Sequence, residues 1–173
     1  MTVDELLALL ARGAGVLDSA DDAGNAVDQL QHGLQCADAL AAQGADDELV
    51  VAGLVHDVGH LVGDGFHVDD HERVGARLVR PLLGDRVAGL VELHVPAKRY
   101  LAAAEYYALS AGSTMSLAVQ GGPMTPAERS AFEHESLFAD AVALRRADED
   151  AKDPAAAPRT LGFWRPVVMR LAR

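Results

Sequence analysis

The chain has a single cysteine, Cys36, in 173 residues, so no disulfide within it can staple the fold. Aromatic residues make up only 5% of it, against 50% hydrophobic residues overall. The interior must therefore be built from alanine, leucine and valine, a composition that favours packed helices. Basic residues are scarce: 15 lysines and arginines face 26 acids, for a net charge of −11. That excludes a general binder of nucleic acid or of an anionic membrane, because both need a basic face. A small anion held in a local basic pocket remains compatible with it. No apolar run approaches the ~18 residues of a membrane span. The opening MTVDELLALLARG places acids early and lacks the basic start of a signal peptide. A soluble, cytoplasmic protein of one domain is expected, long enough to bury roughly 70% of its unfolded surface.

What is present reads as a string of helices. VDELLALLARG is amphipathic and ends at a glycine. In DDAGNAVDQLQHGLQCADALAAQG the apolar residues Val27, Leu30, Leu34 and Ala37 recur at helical spacing, and Gly44 closes the run. ADDELVVAGLVHDVGHLVGDG starts with acids suited to a helix N-terminus and carries HDVGH in its last turns. GDGFHVDD is a polar loop. HERVGARLVRPLLG predicts a short helix bent at Pro81, RVAGLVELHV another that stops near Pro96, and AKRYLAAAEYYALS the next. AGSTMSLAVQGGPMT is turn-rich. A Thr-x-x-Glu capping box at Thr125 and Glu128 opens the final helical stretch. No strand alternation persists and no repeat is visible. The last segment, PAAAPRTLGFWRPVVMRLAR, reads as a flexible spacer and then a packing arm around Trp164 on the same domain. The expected division is 1–152 for the domain and 153–173 for this tail.

The stretch LVHDVGHL raises a problem of energetics. It sets His56, Asp57 and His60 among residues that would otherwise pack as core. His56 and His60, four apart, share one face of a helix. A lone buried histidine such as His32 is ordinarily a hydrogen-bonded core residue. A carboxylate buried beside an imidazole is different: it costs several kcal/mol unless a cation or a dense set of hydrogen bonds compensates. One or two metal ions would compensate directly. His32, the His56–Asp57 doublet, His71, His94 and a late aspartate lie on separate helical stretches. Such a set of imidazoles and carboxylates suits iron, manganese or zinc.

These stretches resemble the HD-domain superfamily of metal-dependent phosphohydrolases, and one branch in more detail. LQHGLQCADALAAQGADDELVVAGLVHDVGH, DDHERVGARLV, LVELHVPAKRYL, LSAGSTMSLAVQGGPM and ALRRADEDAK are similar to the mixed-valent diiron oxygenases of that superfamily. Those include organophosphonate-cleaving oxygenases and, more distantly, myo-inositol oxygenase. The likeness runs over residues 25 to 152. It implies an all-α fold, a single HD-domain helical bundle with a dinuclear metal site in its core. Its six ligands fall on His32, His56, Asp57, His71, His94 and Asp148, with Asp57 bridging. His32, His56 and Asp148 complete one ion's set, and His71 and His94 the other's. Asp150 stands two residues from Asp148, and His67 and Asp70 stand close to His71, so spacing alone does not choose among them. His134 has no counterpart and reads as surface.

Lys98 follows His94 by four residues and Arg145 precedes Asp148 by three, so on helices both point toward the metal side. They are suited to hold a phosphonate or carboxylate by charge-assisted bonds. The resemblance adds Ser113, Ser116 and Gln120 beside the substrate's anionic group. It makes His60 a residue that touches substrate or carries a proton. Read without it, the serines form a turn and His60 packs against its neighbours. One departure stands out. Phosphonate-cleaving members carry a tyrosine and a glutamate shortly before the first histidine. SADDAGNAVDQLQH has neither, with Asp22 and Asn25 nearest those places.

The implied activity is a diiron oxygenase that uses O2 to oxidise the hydroxyl-bearing carbon of a small anionic substrate, a 1-hydroxyalkylphosphonate, with cleavage of the C–P bond. Its cofactors are two iron ions and its partners the substrate and O2; the chain works as a monomer or homodimer. The alternative is a metal-dependent HD-domain phosphohydrolase of a nucleotide or small phosphate ester, loaded with manganese or zinc. A third class, a sensor that keeps the fold without metal, is disfavoured by the complete donor set.

Overall fold

Short polar side chains mark where the helices begin. In the computed structural model, which describes residues 1–20, 26–62, 70–104 and 107–173, Thr2 caps α1 (Val3–Ala11) through a reciprocal capping box with Glu5. Asp28 caps α2 (Gln29–Ala42) by accepting from the Gln31 amide. Asp46 caps α3 (Asp47–Val55), and Ser110 caps α5 (Ala111–Val119). The predicted box at Thr125 and Glu128 opens α6 (Pro126–Phe132). Each satisfies an amide that would otherwise lack a partner at a helix start. α4 (His71–Ala102), α7 (Phe138–Asp150) and α8 (Leu161–Leu171) complete the helical set. The fold is all-α as expected, with eight α-helices among the described residues.

The bundle core is made by α2, α3, α4 and α7, which pack on one another. Leu34, Ala37 and Leu40 of α2 meet Val51, Leu54 and Val55 of α3; Val87, Leu90 and Val91 of α4 and Leu144 and Ala147 of α7 belong to the same buried cluster. At roughly 1.5–3 kcal/mol per fully buried large aliphatic side chain, this aliphatic interior supplies the drive for folding without many aromatic rings. α8 buries Trp164 and Val168 and packs on α1, α3 and α4. The spacer before it is tied to α2: Gln35 exchanges hydrogen bonds with the Asp153 backbone at 2.8 and 3.1 Å, and Arg159 pairs with Asp38 at 2.9 Å. No helix among the described residues is long and apolar enough to cross a membrane.

Four local expectations are corrected. First, α2 starts at Gln29. Upstream, β1 (Leu17–Ala20) and β2 (Ala26–Asp28) form a small antiparallel pair, with Leu17 opposite Asp28 and Ser19 opposite Val27. Strands this short leave no visible alternation. Second, Pro96 does not end a helix and Pro81 does not break one; both lie inside α4, each removing only one backbone bond. The break falls at Gly84, whose φ of 85° suits a residue without a Cβ. Third, the stretch around Ser113 and Ser116 is helical. Fourth, α3 ends at Val55, and HDVGH turns through His56 and Asp57 into a short 3-10 helix, Val58–Leu61. Asp22, Asn25 and His67 lie outside the described residues.

That last turn presses on the start of α4. A Cβ built on Gly59 would stand 2.0 Å from the His71 carbonyl oxygen, so only glycine lets the two backbones approach. Gly59→Ala is therefore expected to destabilise the protein by about 1–3 kcal/mol, the usual range for an overpacked interior. Urea unfolding checks this, and an unchanged midpoint would contradict the close packing.

Candidate metal centre

Four segments deliver the polar cluster. His32 comes from α2, His56 and Asp57 from the end of α3, His71 and His94 from α4, and Asp148 from α7. All four of these histidines are at most 3% exposed, so each ring nitrogen needs a partner. On three of them the partner of Nδ1 is a backbone carbonyl: Ala151 for His32 at 2.8 Å, Gly53 for His56 at 2.8 Å and Val91 for His94 at 2.6 Å. A carbonyl only accepts, so Nδ1 carries the proton and Nε2 turns its other face to the centre.

The inward atoms come very close. His32 Nε2 lies 3.2 Å from His56 Nε2, and His71 Nε2 lies 3.0 Å from His94 Nε2. Asp57 stands between the two pairs. Its Oδ2 is 3.4 Å from His56 Nε2 and 3.7 Å from His32 Nε2, while its Oδ1 is 3.3 Å from His71 Nε2 and 3.5 Å from His94 Nε2. Asp148 Oδ1 sits 3.2 Å from His32 Nε2 and 3.8 Å from His56 Nε2. Two lone pairs facing each other in a dry interior repel. They become an asset if a cation sits between them. Two donors each about 2.1 Å from one ion, at a tetrahedral or octahedral angle, lie about 3.0–3.4 Å apart, which is the spacing seen in both pairs. The donor set, four imidazole nitrogens and the Asp148 carboxylate around the two-faced carboxylate of Asp57, fits two ions.

The electrostatics are uneven across the cluster. Burial would lower His32, but Asp18, Asp148 and Asp57 raise it to about 10. Burial lowers His94 to about 4, with His71 and His56 adding repulsion and only Asp57 opposing. Asp148, whose burial works against ionisation, is held well below the usual carboxylate range by Arg145 and the two histidines. The His32–His56 end therefore carries the denser negative charge, which in the absence of metal is met by protons. Metal loading must displace them.

Of the residues in question, Asp148 faces the cluster and Asp150 is exposed on α7. Asp70 is exposed before α4, and His134 is exposed, its Nδ1 on the Ser130 carbonyl. His60 stacks on His71 with centroids 3.9 Å apart and lies 3.9 Å from Asp57 Oδ1. It could serve as a donor in place of His94, or stand beside the centre. A cavity of about 600 Å³ opens over the cluster, lined also by Lys98, Ser113, Ser116, Gln120, Arg145 and Lys152. Lys98 Nζ donates to Ser116 Oγ at 2.5 Å and Gln120 Oε1 at 3.0 Å. Burial, with Arg145 repelling, lowers Lys98 to about 8. Arg145 is 1% exposed, pairs with Asp148 at 2.7 Å, and its Nε has no hydrogen-bond partner among the described residues.

Three contributors escaped sequence reasoning. Asp18 is the extra residue of a bulge between Leu17 and Ser19; it lines the cavity and accepts from Gln29 at 2.7 Å. Bulges often re-aim a side chain in this way, but none is visible in a sequence. Glu72 lies 3.7 Å from His71 Nδ1, and its adjacency to His71 was the one available signal. Glu149 backs the cationic wall, and nothing in its spacing sets it apart from Asp150.

Asp148→Ala should cost the protein at least one of its metal equivalents, while Asp150→Ala should leave the content unchanged. Metal analysis of the purified variants decides, and equal loading of the two would refute the assignment of the late aspartate.

Comparison with known proteins narrows what the cluster belongs to. The HD domain family model matches residues 14–149. Hydroxymethylphosphonate dioxygenase of Gimesia maris is 42% identical, with 73% of this chain and 68% of that one covered. The [1-hydroxy-2-(trimethylamino)ethyl]phosphonate dioxygenase (glycine-betaine-forming) of Leisingera caerulea is 34% identical, over 91% of this chain and 87% of its own. An uncharacterized protein of Acanthamoeba polyphaga mimivirus is 27% identical, over 84% and 72%. Histidines and aspartates gathered from four helical segments, and a family match that spans all of them, make this chain a member of the HD domain family.

Proposed function

We propose that this chain is an O2-dependent dioxygenase that oxidises the hydroxyl-bearing carbon of a small 1-hydroxyalkylphosphonate and breaks its C–P bond. The observation that carries this reading is the pairing of a two-ion donor set with a cationic wall across one small cavity, in a chain similar to two phosphonate dioxygenases. The atoms balance without another reductant. The carbon becomes a carboxylate, phosphorus leaves as phosphate, and both atoms of O2 are used in the products.

The residues divide the work. His32, His56 and Asp148 would hold one ion and His71 and His94 the other, with Asp57 as the carboxylate that would serve both. A pair of iron ions, when bound, supplies electrons for reducing O2 and a Lewis-acidic seat for a hydroxyl oxygen. Lys98 and Arg145, which both line the cavity, hold the phosphonate by charge-assisted hydrogen bonds. Ser116 and Gln120 fix the Lys98 ammonium in place, and Ser113 accepts from Arg145 at 3.0 Å. The anion is thereby held at one end while the hydroxyl-bearing carbon is presented to the metal end, which converts binding energy into orientation. His60, stacked on His71 at the cavity wall, is placed to take or return the substrate's hydroxyl proton. The apolar part of the lining is supplied by Val95, Met115 and Val119.

Iron-loaded protein given hydroxymethylphosphonate should consume O2 and release phosphate in equal amounts. Phosphate release from esters under argon would point instead to a hydrolase. Lys98→Ala should raise KM by about 10- to 100-fold, the worth of a charged hydrogen bond. Because Lys98 loses its proton near pH 8, kcat/KM of the wild type should fall as pH rises through that range; a flat profile there would remove Lys98 from anion binding.

A further inference from the structure

The cationic wall has a carboxylate behind it that faces no metal donor. Glu149 sits one residue after Asp148, on the other side of Arg145. Its Oε2 accepts from Arg145 Nη2, from Ser113 Oγ at 2.8 Å and from Lys152 Nζ at 3.3 Å, while its Oε1 accepts from the Ser110 amide at 2.5 Å. Lys152 also reaches both serine hydroxyls at 2.9 Å. Arg145, Ser113 and Lys152 line the cavity; Glu149 does not.

Two consequences follow from that placement. The first is mechanical. α5 buries only Ser113 and Leu117, and Met115 and Val119 on it are 76% and 61% exposed. A helix with so little apolar burial is held largely by its polar ties. Those ties are Lys98 to Ser116 and Gln120 at one end, and Glu149 with Lys152 to Ser110 and Ser113 at the other. The second is electrostatic. Asp148 divides its charge between the histidine cluster, through Oδ1, and Arg145, through Oδ2, so Glu149 adds a second carboxylate against Arg145 and Lys152.

We propose that Glu149 is a positioning residue that keeps the anion-holding wall deliberately weak: it orients Arg145 and Ser113, seats the start of α5, and offsets enough positive charge that a lone phosphate binds poorly. The inference rests on the phosphonate reading of the cavity. A substrate that also reaches the metal centre through its hydroxyl oxygen has a second hold and tolerates the offset. Inorganic phosphate, the product of C–P cleavage, lacks the hydroxyl-bearing carbon that lets the substrate span from the wall to the metal end. Glu149 thus favours substrate over product at the same cationic groups and lets product leave.

Glu149→Gln keeps the side chain's length and its acceptor for α5 but removes the charge. Titration of inorganic phosphate into the purified protein, followed calorimetrically, should show affinity about tenfold tighter in E149Q than in wild type, as expected for one unit of charge close to a partly buried site. In turnover, E149Q should lower KM and kcat together and become more sensitive to inhibition by phosphate. A structural role alone would lower thermal stability and leave phosphate affinity unchanged or weaker, and either of those affinities overturns the proposal. Should E149Q fail to fold, Lys152→Gln reads the same electrostatics from the other side. Its phosphate affinity should fall several-fold, and an unchanged value overturns the proposal equally. The titration needs neither O2 nor a phosphonate. A wild type inactive toward hydroxyphosphonates would therefore defeat the functional reading while the titration still judged Glu149.

Discussion

Asp57 is the constraint around which the rest is arranged. One carboxylate shows its two oxygens to two pairs of imidazoles, each pair with Nε2 atoms about 3 Å apart. Packed this closely, such a group of inward lone pairs and negative oxygens is costly by itself. Cations make it favourable, and once they are present the cluster ties four helices together more firmly than apolar packing alone. Stability and chemistry therefore share one source.

The backbone is shaped to serve that group. α3 stops at Val55, so the chain can turn His56 and Asp57 inward. Gly59 allows that turn to lie against the first residue of α4, which is His71. α4 then carries His94 and, one turn on, Lys98, so the same helix spans from the proposed metal ligand to the proposed anion-holding cation. α7 repeats the device with Asp148 and Arg145. Two helices thus each carry one residue of the histidine–aspartate cluster and one cation of the cavity wall, which in the proposed reading fixes the distance between the two ends of a small ligand. That pairing makes a phosphonate with an adjacent hydroxyl a natural guest.

Much of this was legible in the sequence, because helical periodicity and i,i+4 spacing are local. The His56–Asp57 doublet within a Val/Leu run could be recognised as a problem needing a cation. Lys98 and Arg145 could be placed beside it by counting turns. What escaped was set by tertiary contact. Asp18 reaches the cavity through a bulge between strands of four and three residues, too short to alternate visibly. Pro81 looked like a break or bend and Pro96 like a stop, but both are carried within α4, and the break falls at Gly84. Asp148 and Asp150 are chemically alike, and only the direction of α7 separates the buried one from the exposed one. Glu149 ties α7 to α5 through partners 36 and 39 residues away, Ser113 and Ser110, which no local spacing reveals.

The most direct test of the shared carboxylate is anomalous X-ray diffraction from crystals of the iron-loaded protein. The expected result is two peaks flanking Asp57, about 3.5–4 Å apart as in other paired-metal sites, one beside His32 and His56 and the other beside His71 and His94. A single peak, or peaks away from Asp57, would contradict the account.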